Sequence, residues 1–294
     1  MAVLSRDLLA EIRRIEIVTR RLVSQQMAGH YHSVFKGRGM SFDEVREYMP
    51  GDDPRSIDWN VTARTGDPYV KTYVEERELT VMIMVDMSGS MAFGTVKDEK
   101  RVVAARLAAM MAFSAITNGD RVGLIAFTDS VECYVPPKKG RKHVLRIIDE
   151  ILRFDPVGAG TDLANALEFV GRVNRRKAVI FLISDFLDVS YARPLHVTAR
   201  RHDLIPLTVI DPAEEVLAEL GLVFFQDAET GRIQAVDTAR RGVRTAFEQA
   251  QSSRSARRDQ EFMRYGVSPI EVRTDAKDYA APLVNYFKIR AKRA

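Results

Sequence analysis

The chain has 294 residues, of which 46% are hydrophobic and 29% charged, and its formal net charge is +4. These values describe a globular chain with material for an ample core and exclude intrinsic disorder, and the charge is too small to favour nucleic acid or an anionic membrane as a partner. A single cysteine, Cys133, excludes an intrachain disulfide framework and a thiolate zinc site. No run approaches the roughly 18 apolar residues that span a bilayer, and Arg6, Asp7 and Glu11 lie where a signal peptide would be apolar. The expectation is a cytoplasmic protein without a membrane span.

Residues 7–26 read as a helix with Leu8, Ile12, Ile15, Val18 and Leu22 on one face, a face that suits docking on a core better than binding a partner. Gly29, Gly37 and Gly39 then break it. From Tyr31 to Glu78 turn formers are dense, yet Phe35, Phe42, Tyr48, Ile57, Trp59 and Tyr69 argue for an ordered segment, with Phe35, Phe42, Ile57 and Trp59 expected to be buried. Asp52, Asp53, Arg55 and Asp58 leave two readings open, a hydrogen-bonded, ion-paired knot and a second site, of which the knot is favoured. The pattern Arg46-x-Tyr48-x-x-Gly51-Asp52-Asp53-x-Arg55-x-Ile57-Asp58-Trp59 resembles the opening signature of a bacterial family catalogued as domain of unknown function fifty-eight. That resemblance covers about Tyr31 to Arg290, implies a von Willebrand A-like core after the signature, and assigns the signature residues no chemistry. Many members carry transmembrane helices before the signature; this chain is expected to lack them. The expected division is an extension over residues 1–78 and a core domain over 79–294.

The run Val81-Met82-Ile83-Met84-Val85-Asp86-Met87-Ser88-Gly89-Ser90-Met91 is an unbroken apolar stretch that ends in an acid followed by two hydroxyls at alternate positions. A buried parallel strand delivers polar groups to the rim of its sheet in this way. A carboxylate with neutral hydroxyls is a hard oxygen set suited to Mg²⁺, Mn²⁺ or Ca²⁺. Alone, residues 86–90 are equally an ordinary strand-to-helix turn.

A helix over 98–117 follows, then strands 121–127 and 131–135 joined by Thr128-Asp129-Ser130 as a hairpin, a basic loop 136–142, and a helix over 141–152. Gly158-Ala159-Gly160-Thr161-Asp162 sets a hydroxyl between a Gly-rich loop and a helix over 162–173. Val179 to Asp185 repeats the apolar strand ending in an acid. A helix over 190–200, a strand 204–210, a rim hairpin over 222–236 around Asp227-Ala228-Glu229-Thr230-Gly231, a helix over 239–265, a strand 267–273 and a helix over 279–290 complete the series. The alternation predicts an α/β fold: a doubly wound, mostly parallel sheet with one antiparallel edge strand and an inserted β-hairpin.

Asp86-x-Ser88-x-Ser90 with Thr161 and Asp185 resembles the metal-ion-dependent adhesion site of the von Willebrand factor A family. The resemblance implies that Ser88, Ser90 and Thr161 offer hydroxyl oxygens to Mg²⁺, with Mn²⁺ or Ca²⁺ as substitutes, while Asp86 and Asp185 act mostly through water. It further implies a binding module that takes an acidic side chain from a partner. Members of the smaller family are associated with MoxR-type AAA+ ATPases, which implies an adaptor or cochaperone-like role in complex maturation or metal insertion.

Other chemistries fare worse. There is no P-loop, Gly158-Ala159-Gly160 lacks the third glycine of a dinucleotide fingerprint because Leu163 stands there, and neither Ser88 nor Ser90 lies in a Gly-x-Ser-x-Gly elbow. His30, His32, His143, His196 and His202 are scattered and read as surface or capping residues. The arginines at 240, 241, 244, 254, 257, 258 and 264 read as a solvated helix face. The expected class is a binding protein rather than an enzyme; a Mg²⁺-dependent phosphatase is the alternative, weakened because Ser88 stands where that chemistry wants a second acid.

Overall fold

The computed structural model describes residues 31, 34, 41–74, 78–96, 98–188 and 190–292. The helix expected over residues 7–26 lies outside the described residues. The chain divides into two compact units, one spanning Phe35–Leu79 and the other running from Thr80 to the end together with Tyr31 and Val34.

In the smaller unit, β1 (Ser41–Glu47) and β2 (Tyr69–Val74) pair antiparallel, with Arg46 opposite Val70. Between them lie a 3₁₀ turn, Pro54–Ser56, capped by Asp53, and α1 (Trp59–Thr65), capped by Asp58. Each acid has a structural task. Asp52 takes both Arg46 amines at 2.8 and 2.7 Å and the Met49 amide at 2.8 Å, and the Arg46 contact is the leading cause that lowers its pKa. Asp58 accepts the Asn60 amide at 3.0 Å and faces Lys71 at 3.2 Å. Trp59 corrects an expectation: it is 70% exposed. Trp59 opens α1, a helix in which no residue is buried, so it lies at the surface of its unit.

The larger unit is built on a six-stranded sheet. Its strands are β3 (Thr80–Asp86), β4 (Arg121–Phe127), β5 (Val131–Lys138), β6 (Val179–Ser184), β7 (Asp203–Ile210) and β10 (Ile270–Arg273), in the order β10-β7-β6-β3-β4-β5. All neighbours are parallel except β4 and β5. This is the doubly wound, mostly parallel sheet with one antiparallel edge strand that the residue pattern predicts. Strand β5 continues through Pro136 and Pro137, which were expected in a loop. Proline donates no ladder hydrogen bond, and only an edge strand tolerates that loss.

Residues Val81 to Val85 of β3 and Val179 to Ile183 of β6 are all apolar because both faces of these strands are covered. Met82, Met84, Ile180 and Leu182 meet α4 (Leu163–Val173), α5 (Ala192–Arg201) and α7 (Arg241–Arg264) through Leu163, Leu167, Leu195 and Phe262. Phe181, the alternate residue, meets Phe287 of α8 (Ala280–Ala291) edge-on at 6.5 Å, and Phe287 in turn meets Tyr31 at 6.0 Å. Each such side chain stabilises the fold by about 1.5–3 kcal/mol on burial. Helix α2 (Lys100–Thr117) is buried nearly all round, from Lys100 to Ala115, and α3 (Arg141–Leu152) follows β5.

From β3 the chain winds to β4 and β5 on one side, and later to β6, β7 and β10 on the other. The winding therefore reverses between β3 and β6, and in open α/β sheets the crevice outside the strand ends at such a reversal is where ligands bind. Asp86 ends β3 and Asp185 follows β6, so the topology sets both acids at that crevice. Beyond β7, a short helix, α6 (Pro212–Glu215), precedes a separate two-stranded hairpin, β8 (Leu222–Gln226) with β9 (Ile233–Asp237).

Candidate functional site

The crevice is organised by hydrogen bonds between the two strand ends. Asp86 is fully buried; one carboxylate oxygen accepts the Ser88 amide at 3.0 Å and the other accepts the Ser184 hydroxyl at 2.7 Å. Ser90 donates its hydroxyl to Asp185 at 2.7 Å, and the Ser88 and Ser90 hydroxyl oxygens lie 3.1 Å apart. The Ser90 proton is committed to Asp185, and the Ser88 hydroxyl faces both Ser90 and Asp86. That arrangement leaves lone pairs on both serine oxygens available to a cation.

Local backbone explains why these atoms converge. Gly89–Ala92 is a 3₁₀ turn whose preceding residue, Ser88, is extended, so the chain turns sharply at the rim of the sheet. On the opposite side Phe186 adopts φ 56°, the left-handed region that non-glycine residues seldom visit. Its amide donates to the Ser184 hydroxyl at 3.0 Å and its ring is buried against Tyr191 and Phe262, which hold the unusual backbone in place.

Thr161 reaches the same rim from a third loop. The Ala159 carbonyl accepts the Gly89 amide at 2.9 Å, and the Thr128 carbonyl accepts the Asp162 amide at 2.9 Å. Glu132 of the edge strand accepts the Val157 and Gly158 amides at 2.9 and 3.0 Å, fixing the Gly-rich loop from below. The hydroxyl of Thr161 does not join the serine pair; it donates to Glu229, at the tip of the β8–β9 hairpin, at 3.2 Å. The structure thus links Asp86, Ser88, Ser90 and Asp185 through direct bonds within the crevice and brings Thr161 beside them on the neighbouring loop.

Sequence reasoning missed three participants. Ser184, the last residue of β6, holds Asp86. Lys100, the first residue of α2, is fully buried, donates to Asp185 at 2.7 Å and pairs with Glu214 of α6. Glu229 is the third. A lysine that opens a helix in which Val, Ala, Leu, Met and Phe predominate and only two other charged residues, Arg101 and Arg106, occur is the signal that could have marked Lys100.

The electrostatics follow from burial. Removal from water, reinforced by the nearby charge of Asp185, raises the Asp86 pKa to about 7. Burial alone would depress the Lys100 ammonium, but Asp185 and Glu214 overcome it and raise its pKa.

Among the described residues no three His, Cys, Asp or Glu side chains form a group able to hold a metal ion. The crevice offers a different set, two carboxylates with serine and threonine hydroxyls. The 3.1 Å between the serine oxygens compares with about 3 Å for adjacent corners of an octahedron with metal–oxygen distances of about 2.1 Å, the Mg²⁺ preference. The donor set fits a small hard cation.

Fold and crevice together define an α/β protein with an oxygen-donor site at the switch point of a mostly parallel sheet. The chain belongs to the family described as "Protein of unknown function DUF58", whose model matches residues 44–257. It is 33% identical over 292 residues to uncharacterized protein Rv1480 of Mycobacterium tuberculosis, covering 98% of this chain and 91% of that one. It is 32% identical over 111 residues to the magnesium-chelatase 67 kDa subunit of Heliobacterium mobile, a stretch covering 37% of this chain and 15% of that subunit. The VWA domain of SpRpn10 is similar in structure at a TM-score of 0.40 and 12% identity, covering 71% of this chain and 95% of that domain. Among the described residues no helix is long and apolar enough to cross a membrane.

Proposed function

We propose that the protein is a cation-dependent binding module. Ser88, Ser90 and Thr161 supply hydroxyl oxygens to Mg²⁺, or to Mn²⁺ or Ca²⁺, and Asp86 and Asp185 orient the waters and serine protons around it. When bound, the cation supplies an incompletely offset positive charge that attracts a carboxylate. The observation that carries this reading is the hydrogen-bonded chain from Ser88 through Ser90 to Asp185, which joins the ends of β3 and β6 at the switch point with serine lone pairs to spare.

The same geometry supports binding over phosphoryl transfer. A phosphatase of this type would attack with Asp86, but that carboxylate is fully buried and both its oxygens already accept hydrogen bonds. The proposed role is recognition rather than catalysis.

The partner proposed is a subunit of a MoxR-type AAA+ ATPase that presents an acidic side chain to the cation, as the family resemblance implies, in complex maturation or metal insertion. Similarity over a short stretch to a protein named as a magnesium-chelatase subunit is compatible with a chain that works inside an assembly. Losing one side of such a charge-assisted contact strands the other, at a cost of about 2–5 kcal/mol. Co-purification of the ATPase should therefore fall together under chelator, Asp86→Ala and Thr161→Ala. A complex that survives chelator and Asp86→Ala at full strength would remove the cation from the interface.

A further inference from the structure

Among the described residues the β8–β9 hairpin pairs with no other strand. Leu222, Phe224 and Ile233 are 65%, 69% and 68% exposed, so its strands stand clear of the core. A lone two-stranded hairpin is marginal in water, and its direction is not dictated by a sheet. Two features direct it. At the base, the Thr238 hydroxyl donates to the Gly221 carbonyl at 2.8 Å and accepts the Leu220 amide at 2.9 Å. At the tip, the backbone lies against the crevice: a Cβ built on Gly89 would fall 2.4 Å from the Ala228 carbonyl oxygen.

The tip is shaped to present one side chain. Asp227 accepts the Glu229 and Thr230 amides at 3.0 and 2.7 Å, a local turn that ties Asp227 down and frees Glu229 to reach across 68 residues of sequence to Thr161. The Glu229 carboxylate thereby sits at the rim of the crevice, within hydrogen-bond reach of the Thr161 hydroxyl at 3.2 Å.

We infer that Glu229 is an internal ligand of the site: the hairpin lays this chain's own carboxylate over the cation-binding crevice, in the position that an outside acid must take. This rests on the cation-binding reading of Asp86, Ser88, Ser90, Thr161 and Asp185. It assigns the hairpin a task, holding the site closed until a competing carboxylate displaces Glu229.

The test titrates Mn²⁺ into the full chain, Glu229→Ala and Asp86→Ala at matched melting temperature, with and without acetate as the outside carboxylate and with free Mn²⁺ held constant. Loss of a carboxylate partner of a metal-binding group costs about 10-fold or more in affinity, and Glu229→Ala should lose that much. Acetate should restore part of the loss in Glu229→Ala and leave the unmodified chain unchanged. Hydrogen exchange at residues 227–231 should slow on adding Mn²⁺ in the unmodified chain and not in Glu229→Ala. If Asp86→Ala abolishes binding while Glu229→Ala binds as the unmodified chain does, the internal-ligand role is overturned and the cation site stands. If Mn²⁺ binding is indifferent to Asp86→Ala, the cation reading fails and takes this inference with it. A Glu229→Ala defect that acetate leaves unchanged overturns the claim that an outside acid fits there.

Discussion

Replacing Lys100 with methionine removes the ammonium buried between Asp185 and Glu214 while keeping a side chain of similar length and apolar character. Lys100 is 0% exposed, and its partner carboxylates are 3% and 24% exposed. Breaking a buried pair by removing one member costs about 3–5 kcal/mol, because the charges left behind lie out of water without compensation. At roughly 2–4 °C per kcal/mol for a chain of this size, the melting temperature should fall by about 10 °C. The sign of the pH dependence is fixed as well. The folded pKa of Lys100 is raised, so its contribution is fully present below the unfolded value of about 10.4 and is lost only as pH rises through the folded value. The titration of Lys100 itself therefore leaves the deficit unchanged across neutral pH. Burial already raises the Glu214 pKa against the lowering contact with Lys100, so without Lys100 this acid takes up a proton more readily and the deficit of Lys100→Met should shrink as pH falls, as calorimetry or denaturant titration would show. If the cation reading is right, Mg²⁺ should raise the melting temperature of Lys100→Met more than that of the unmodified chain, since Asp185 is left seeking a positive partner. A melting temperature within about 2 °C of the unmodified chain would refute the burial argument.

Asp86 gives the opposite pH behaviour: its folded pKa is raised to about 7, so the ionised form is the disfavoured one in the folded state. In metal-free protein the resulting penalty is absent below the unfolded value of about 3.9, grows as pH rises to about 7 and is complete above it; Asp86→Asn should flatten that slope in denaturant titrations. The same proton must leave if the acid is to serve a cation, so Mg²⁺ affinity should fall as pH drops below about 7, and an affinity flat from pH 5 to 8 would contradict the assignment. Trp59, the single tryptophan, is 70% exposed; its emission should resemble that of indole in water and be readily quenched by acrylamide, whereas a blue-shifted, protected emission would contradict the exposure.

The fold was legible where one requirement dominated each segment. Val81 to Val85 and Val179 to Ile183 are apolar at every position because both faces of the sheet are covered, and an acid follows each run at the strand end, at Asp86 and Asp185. The edge hairpin was legible from Thr128-Asp129-Ser130, but its length was not, since Pro136 and Pro137 read as loop until the strand is known to be an edge. The pairing of Ser41–Glu47 with Tyr69–Val74 was hidden because its turn-rich connection carries more signal than the strands themselves. In the site, Asp86, Ser88, Ser90, Thr161 and Asp185 were named from the sequence because acids follow two apolar runs and the spacing of the hydroxyls resembles a known motif. Lys100 and Glu229 were not, because their roles depend on contacts 85 and 68 residues away, with Asp185 and Thr161. Trp59 differs from expectation for a related reason: an aromatic residue signals burial on average, but Trp59 belongs to a helix in which no residue is buried.

Calorimetric titration of Mg²⁺ into purified protein asks whether the crevice between β3 and β6 holds a divalent cation through its hydroxyls, comparing the unmodified chain with Asp86→Ala and with the double variant Ser88→Ala, Ser90→Ala, each checked for an unchanged far-ultraviolet spectrum. One site is expected in the unmodified chain and none in either variant. The same affinity in all three proteins would take the cation out of the crevice.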